Sequence, residues 1–314
     1  MLRSIEPREL AGCACDGYAQ LEAMLEARLR EVELVALDLD GTLLTSDSQV
    51  TSTCADAIRE ALAAGVRVVP ATGRILSVLP EALFGVEGME YAVGCAGASI
   101  MRLGRTREES ELLHETGLAP VDAAELAADL LGEFSPDIYL DVACMGEVFT
   151  DEGQLALLGE MGLDARAQAF TRRTRHVVPD LLAATRAFTE PVGHLNIFYR
   201  DDAVRARVMA WLRARGGYEL ANSLGQNIEV NAPNTSKWNG IEWLCAHLGI
   251  DGGRVLAIGD GANDVDMIRR AWLGVAMKNA VPVAVDAADA LTACTNDQDG
   301  VARVLRELIE LKRG

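Results

Sequence analysis

Between Leu34 and Leu37 the chain runs through four consecutive apolar residues and then turns polar at Asp38-Leu-Asp40-Gly41-Thr42. An apolar run without alternation suits a strand covered on both faces, as a central strand of a parallel sheet is. Parallel neighbours need crossovers, and the chain supplies them. Thr51 to Ala64 has helical spacing and stops at Gly65, and Val66 to Pro70 predicts a second strand. A third strand is expected at Tyr91 to Gly94, and the later pair Arg254 to Ile258 and Gly274 to Met277 repeats the strand-then-helix order. The helix from Ser236 carries Ile241, Leu244, Cys245 and Leu248 on one stripe and ends at Gly249. The last helix, Gly300 to Lys312, presents Val301, Val304, Leu305, Leu308 and Ile309 in the same way. Alternation of this kind predicts an α/β fold with a doubly wound parallel sheet.

The middle of the chain breaks the rhythm. Asp122 to Leu131 is helical, Asp137 to Thr150 predicts a hairpin around Met145-Gly146, and Gly193 to Tyr199 a strand. A helix from Ala203 to Arg215 and strand-like Asn227 to Asn231 follow. Residues 113–231 are therefore expected to form an α+β insertion that splits the parallel-sheet domain into residues 31–112 and 232–314. Residues 1–30 are expected to be a helical extension.

Acidic residues outnumber basic ones by 47 to 29, a net charge of −18, so the chain lacks the cationic footprint of a nucleic-acid binder. No apolar run approaches the ~20 residues of a membrane span. The start MLRSIEPREL lacks the charged and apolar regions of a secretion signal, so cytoplasmic residence is expected. Seven scattered cysteines, with no CxxC pair, are expected to be reduced thiols, and the close pair Cys13 and Cys15 is expected to be incidental.

Ligands of open α/β sheets bind beyond the carboxyl ends of the strands. Here those ends carry Asp38 and Asp40, then Ala71-Thr72-Gly73-Arg74, then Gly259-Asp260-Gly-Ala-Asn263-Asp264, with Lys237 opening the helix before the last of them. Asp38 and Asp40, two apart on an extended chain, are expected to face one site from the same side, and with Asp260 they make an all-oxygen set for a hard cation such as Mg²⁺. Thr72 and the Gly73 amide, in a strand-to-helix turn, can donate to phosphate oxygens, and Lys237 adds a point charge.

Asp-Leu-Asp-Gly-Thr, Ala-Thr-Gly-Arg, Lys237 and Gly-Asp-Gly-Ala-Asn-Asp, in that order, resemble the four motifs of the haloacid dehalogenase superfamily. The long insertion between Thr72 and Lys237, the tail Gly274-Val-Ala-Met-Lys-Asn-Ala and the stretch Asn296-Asp-Gln-Asp-Gly300-Val resemble its Cof-type phosphatases with an α+β cap. The resemblance covers residues 33–314 and implies a Mg²⁺-dependent phosphatase of a small phosphorylated metabolite, a sugar phosphate or similar. The site would lie between core and movable cap. By the same resemblance Asp38 is the nucleophile and Asp40 the general acid and then base. Thr72, Gly73, Lys237 and Asn263 hold the phosphoryl group, and Asp38, the Asp40 carbonyl and Asp260 bind the metal with Asp264 in support. Where members usually carry Asn-Gly-Ala after the third strand, this chain has Cys95-Ala96-Gly97-Ala98. A phosphomutase of the same superfamily and a catalytically idle metabolite sensor are the rival readings.

No P-loop or GxGxxG occurs. His114, His176, His194 and His247 are expected to be structural or solvated, and the cationic run Thr171 to His176 to be a solvated loop, with contact to an anionic substrate as the alternative. Nothing in the residues indicates an oligomeric state.

Overall fold

The computed structural model describes residues 5–7, 15–221 and 227–314, so Cys13 lies outside the described residues. The chain falls into two compact units, one of Met1–Thr72, Pro80–Glu111 and Ser236–Gly314, the other of Gly73–Leu79 and Leu112–Thr235.

The first unit begins with strand β1 (Ile5–Pro7) and helix α1 (Cys15–Glu31), then continues through β2 (Leu34–Leu37), α2 (Ser52–Ala63), β3 (Arg67–Pro70), the short α3 (Glu81–Phe84), β4 (Tyr91–Gly94) and β5 (Ser99–Arg102). All four residues of β2 are fully buried, as an unalternating apolar run requires. Helix α2 starts where the Thr51 hydroxyl accepts the Cys54 amide at 3.0 Å. The expected third strand departs from the sequence reading: β4 pairs antiparallel with β5 and meets the end of β3 through one isolated bridge, Ala71 to Val93. The reason is local. Cys95, Ala96 and Gly97 have φ of 51°, 53° and 107°, and three positive values in succession turn the chain straight back where a helix was expected.

The chain then passes through β6 (Glu111–Glu115) into the second unit: α4 (Pro120–Phe134), β7 (Ile138–Cys144), β8 (Glu147–Asp151), α5 (Glu152–Leu157), α6 (Ala165–Thr174), β9 (His176–Val178), α7 (Leu181–Ala187), β10 (Val192–Tyr199), α8 (Asp202–Arg215), β11 (Glu219–Ala221) and β12 (Asn227–Asn231). Its sheet has the order β11-β12-β10-β7-β8-β9 and is antiparallel except between β8 and β9. Met145 and Gly146, both at positive φ, close the β7–β8 hairpin. One face of the sheet is apolar: Leu140, Val142, Leu195, Ile197 and Val230 pack with Leu126 and Leu130 of α4, Leu181 of α7 and Val208 of α8.

Returning to the first unit, α9 (Lys237–Leu248), β13 (Val255–Gly259), α10 (Val265–Arg270), β14 (Leu273–Ala276), α11 (Pro282–Ala287), β15 (Ala290–Thr292) and α12 (Gly300–Arg313) complete a sheet of order β1-β15-β14-β13-β2-β3. Five of its strands are parallel. Trp238, Ile241 and Leu244 of α9 and Met267 and Ile268 of α10 pack with Leu34, Ala36, Val255 and Ala257 of the sheet, while α12 packs against α2 and α1. The α/β class, with a parallel sheet in one unit and a separate antiparallel sheet in the other, is as the sequence predicts. The N-terminal stretch is not helix alone, because Ile5 to Pro7 pair antiparallel with β15 and use its otherwise open edge. No described helix is long and apolar enough to cross a membrane.

Candidate active site

Strands β2 and β13 are parallel neighbours, with Leu37 beside Ile258, and the Asp38 amide donates to the Ile258 carbonyl at 2.9 Å. The pairing sets the residues that follow each strand side by side. Asp38, Asp260 and Asp264 bring one carboxylate oxygen each within 4.8 Å of one another. Asp38 is 5% exposed and Asp264 fully buried.

Lys237 enters this cluster from the first turn of α9. The helix is capped by Ser236, whose hydroxyl accepts the Asn239 amide at 3.2 Å and donates to Asp266 at 2.5 Å. Behind the cap, a Cβ on Gly97 would stand 1.9 Å from the Ser236 carbonyl oxygen, so the β4–β5 turn can approach only as glycine. Lys237 is 1% exposed, and its Nζ donates to Asp38 Oδ1 at 2.5 Å and to Asp264 Oδ1 at 2.6 Å. The other oxygen of Asp264 accepts the amides of Asp260 and Gly261 at 2.9 and 2.8 Å. Both Asp264 oxygens are thus engaged in holding Lys237 and the Asp260 loop.

Thr42 donates to Asp260 Oδ1 at 2.7 Å. Between Asp40 and Thr42, Gly41 has φ +86°, and a Cβ there would lie 2.4 Å from Asp260 Oδ2. Asn279, beyond β14, donates to the Gly41 carbonyl at 2.7 Å and accepts the Asn296 amide at 3.1 Å, while Asn296 donates to the Leu44 carbonyl at 2.9 Å. These two asparagines tie down the loop after Asp38.

Burial, together with Asp264, pushes the Asp38 carboxyl well above its usual range, against the pull of Lys237. Asp260 is raised to about 6, by burial and then by Asp264, with the Thr42 bond opposing. Burial by itself would lower Lys237, yet the carboxylates of Asp264 and Asp38 outweigh it and raise its pKa. Three carboxylates against one ammonium leave an excess of negative charge among oxygen-only donors, the setting a hard divalent cation fits.

Of the residues singled out from sequence, Asp38, Lys237, Asp260 and Asp264 meet in this cluster. The Asp40 carboxylate is not among the three that cluster: Asp40 is exposed and lies past the strand end, where its backbone bridges to Leu44. Thr72 is buried, its amide donating to Val93 and its carbonyl accepting from Ala96. It is followed by an irregular stretch and the 3₁₀ turn Leu76–Val78 in place of the expected start of a helix, and Gly73 opens the stretch that groups with the second unit. Asn263 is half-buried in the 3₁₀ turn Ala262–Asp264, with Oδ1 packed against the Gly261 backbone. Ala96 takes the left-handed conformation (φ 53°, ψ 24°) that asparagine adopts more readily. The links from Thr42 and Asn279 were not drawn from the sequence, although both residues stand in the quoted motifs.

The second unit carries a polar face that the sequence did not announce. Glu229, Asn196 and Asp141 lie opposite one another on β12, β10 and β7, on the side away from the apolar cluster, and all are buried. Asn227 donates to Asn196 Oδ1 at 2.9 Å and Glu229 Oε1 at 3.1 Å. The Arg175 side chain is only 7% exposed, its Nε 2.9 Å from Asp141 Oδ2, which removes it from the solvated loop expected there; residues up to Thr174 belong to α6. Asp141 Oδ1, Asn196 Nδ2 and Asn231 Oδ1 remain without hydrogen-bond partners.

The sequence profile of the haloacid dehalogenase-like hydrolases matches residues 35–305. The chain belongs to this family of hydrolases, in its Cof-type phosphatase branch. It is 29% identical over 279 residues to a 5-amino-6-(5-phospho-D-ribitylamino)uracil phosphatase of Bacillus subtilis, a match covering 89% of this chain and 96% of the relative. A phosphoglycolate phosphatase of Methanopyrus kandleri is 28% identical over 281 residues, covering 88% and 97%. Among solved structures, a haloacid dehalogenase-like hydrolase of B. subtilis superposes with a TM-score of 0.71 at 26% identity, covering 88% of this chain and 99% of that one.

Proposed function

We propose that the protein is a Mg²⁺-dependent cytoplasmic phosphatase that hydrolyses a small phosphorylated metabolite, a sugar phosphate or similar, through an aspartyl-phosphate intermediate. The observation that carries the reading is Lys237 bridging Asp38 and Asp264 with Asp260 beside them, at the carboxyl ends of adjacent parallel strands.

In this reading Asp38 attacks phosphorus, its oxygen forming the new P–O bond as the ester P–O bond breaks. Asp40, exposed and two residues on, donates its proton to the leaving alkoxide. It then takes a proton from the water that attacks the aspartyl phosphate, releasing inorganic phosphate and restoring Asp38. Lys237 neutralises charge on the phosphoryl oxygens, with Thr72, the Gly73 amide and Asn263 as donors around it. Asp38, Asp260 and the Asp40 carbonyl would hold the cation, which supplies neutralisation of the charge developing on phosphate. Asp264 keeps Lys237 and the Asp260 loop in register.

The test is inorganic phosphate release from a panel of phosphorylated metabolites by the purified protein with Mg²⁺. Release is expected from at least one sugar or polyol phosphate. Isomerised sugar without free phosphate would make the protein a mutase, and no turnover of any compound would make it a binder.

A further inference from the structure

The amino-terminal edge of the parallel sheet, opposite the loops that carry Asp38 and Asp260, holds a cleft of about 550 Å³ within the first unit. Its walls are Arg28 of α1, Glu242 of α9, Arg269 and Arg270 at the end of α10, Trp272 just before β14, and Asp289 just before β15. Five residues of β13 separate this edge from Asp260, about 17 Å at the usual strand rise. The cleft is therefore distinct from the candidate active site.

Its charges are unevenly satisfied. Arg28 pairs with Asp289 at 3.2 Å, donates to the Trp272 carbonyl at 3.1 Å, and sets its guanidinium 5.1 Å from the Trp272 ring centroid. Arg270 pairs with Glu242 at 3.5 Å and Asp266 at 3.7 Å, and lies over the ring of the buried Trp238. Arg269 is exposed and has no ion pair or hydrogen bond among the described residues. Beside it Trp272 leaves 36% of its surface in solvent. The cleft thus sets three guanidinium groups against two carboxylates in a chain with a net charge of −18, and the Trp272 indole, with Arg28 over its ring, still offers part of its surface beside Arg269.

A guanidinium fork matches phosphate oxygens, and an indole stacks on planar rings. We propose that this cleft binds a small aromatic phosphate of the nucleoside monophosphate class, its ring on Trp272 and its phosphate on Arg269. The volume lies within the range of small-molecule sites. One wall, Arg28, belongs to α1, which precedes the stretch matched by the family profile.

The probes are AMP, adenosine and inorganic phosphate, titrated into the full-length protein in chelator by calorimetry and tryptophan fluorescence. AMP is expected to bind more tightly than either fragment. Arg269→Ala and Trp272→Ala are each expected to weaken it about tenfold, the loss typical of one charge-assisted contact or one stacked base. In Arg269→Ala, AMP and adenosine are expected to bind alike, since the phosphate contact is gone. Both variants are expected to keep the wild-type rate on an aryl phosphate with Mg²⁺, which reports an intact fold; Trp272→Phe is expected to keep most of the binding. AMP binding that is indifferent to both substitutions, or absent at millimolar AMP, would overturn the assignment.

Discussion

Asp38 is a buried carboxyl whose charged form is opposed by burial and by Asp264 and supported by a single lysine. Asp38→Asn keeps the volume and removes one of three crowded like charges, so its melting temperature is expected to stay within a few degrees of wild type. Lys237 still has Asp264 as a partner. Turnover is expected to vanish, because an amide is far too weak a nucleophile toward phosphorus. Phosphate release from a contaminant-free preparation, measured beside the thermal melt, decides it, and substantial residual release would remove Asp38 from the nucleophile's role. Asn279 acts at the same scale by a different route, since its carboxamide joins the Gly41 carbonyl to the Asn296 amide. Asn279→Ala is expected to cost about 1 kcal/mol of stability per lost bond and to lower kcat several-fold with KM little changed, because the loop after Asp38 loses its anchor. An unchanged kcat would mean that the loop is held without it.

Two neighbouring stretches of α6 and the chain after it show how an element sorts like residues into unlike roles. Arg172 and Arg173 lie on the exposed last turn of the helix, whereas Arg175 turns inward at its end and pairs with Asp141, which is fully buried. Burial alone would lower Arg175, and Asp141 more than compensates, so the guanidinium stays charged. Arg175→Ala leaves Asp141 buried and unpaired, an expected loss of about 3–5 kcal/mol. Arg172→Ala is expected to change stability by no more than about 0.5 kcal/mol. Denaturant unfolding of the two variants separates the cases, and equal small losses would show that water reaches Asp141.

Across the whole molecule, the net charge of −18 and the three-carboxylate cluster point to cation binding as a source of stability. Mg²⁺ that binds the folded chain alone contributes about 2.7 kcal/mol at a hundred times its Kd, so the melting temperature is expected to rise with Mg²⁺ and fall in chelator. Activity is expected to disappear with the chelator and return with Mg²⁺. Ca²⁺, with its looser and larger coordination, is expected to restore stability better than turnover. The Mg²⁺-dependent rise is expected to shrink in Asp38→Asn. A melting temperature and rate both indifferent to chelator would sink the metal reading.

Local order was legible in the residues themselves. The apolar run Leu34–Leu37, the Ser236 cap and Gly249 stop of α9, and the Met145-Gly146 turn all sit where periodicity, capping and positive-φ preference put them, because each depends on neighbours within a few positions. The α/β class followed from the order of those elements, and the motif residues followed from their place at strand ends. Partners far apart in the chain were another matter. That Lys237 lies between Asp38 and Asp264, 199 and 27 positions away, comes from the β2–β13 pairing and from Gly97 admitting the α9 cap. Neither distance is written in local spacing. The exposure of Asp40 depends on where β2 stops, the antiparallel return of β4 on three successive positive φ values, and the burial of Arg175 on an aspartate two strands away from β9. Sequence by itself determined the central strands and helices and which chemical groups they carry; tertiary packing decided which of those groups lose water together, and desolvation is what turns a carboxylate and a lysine into a site.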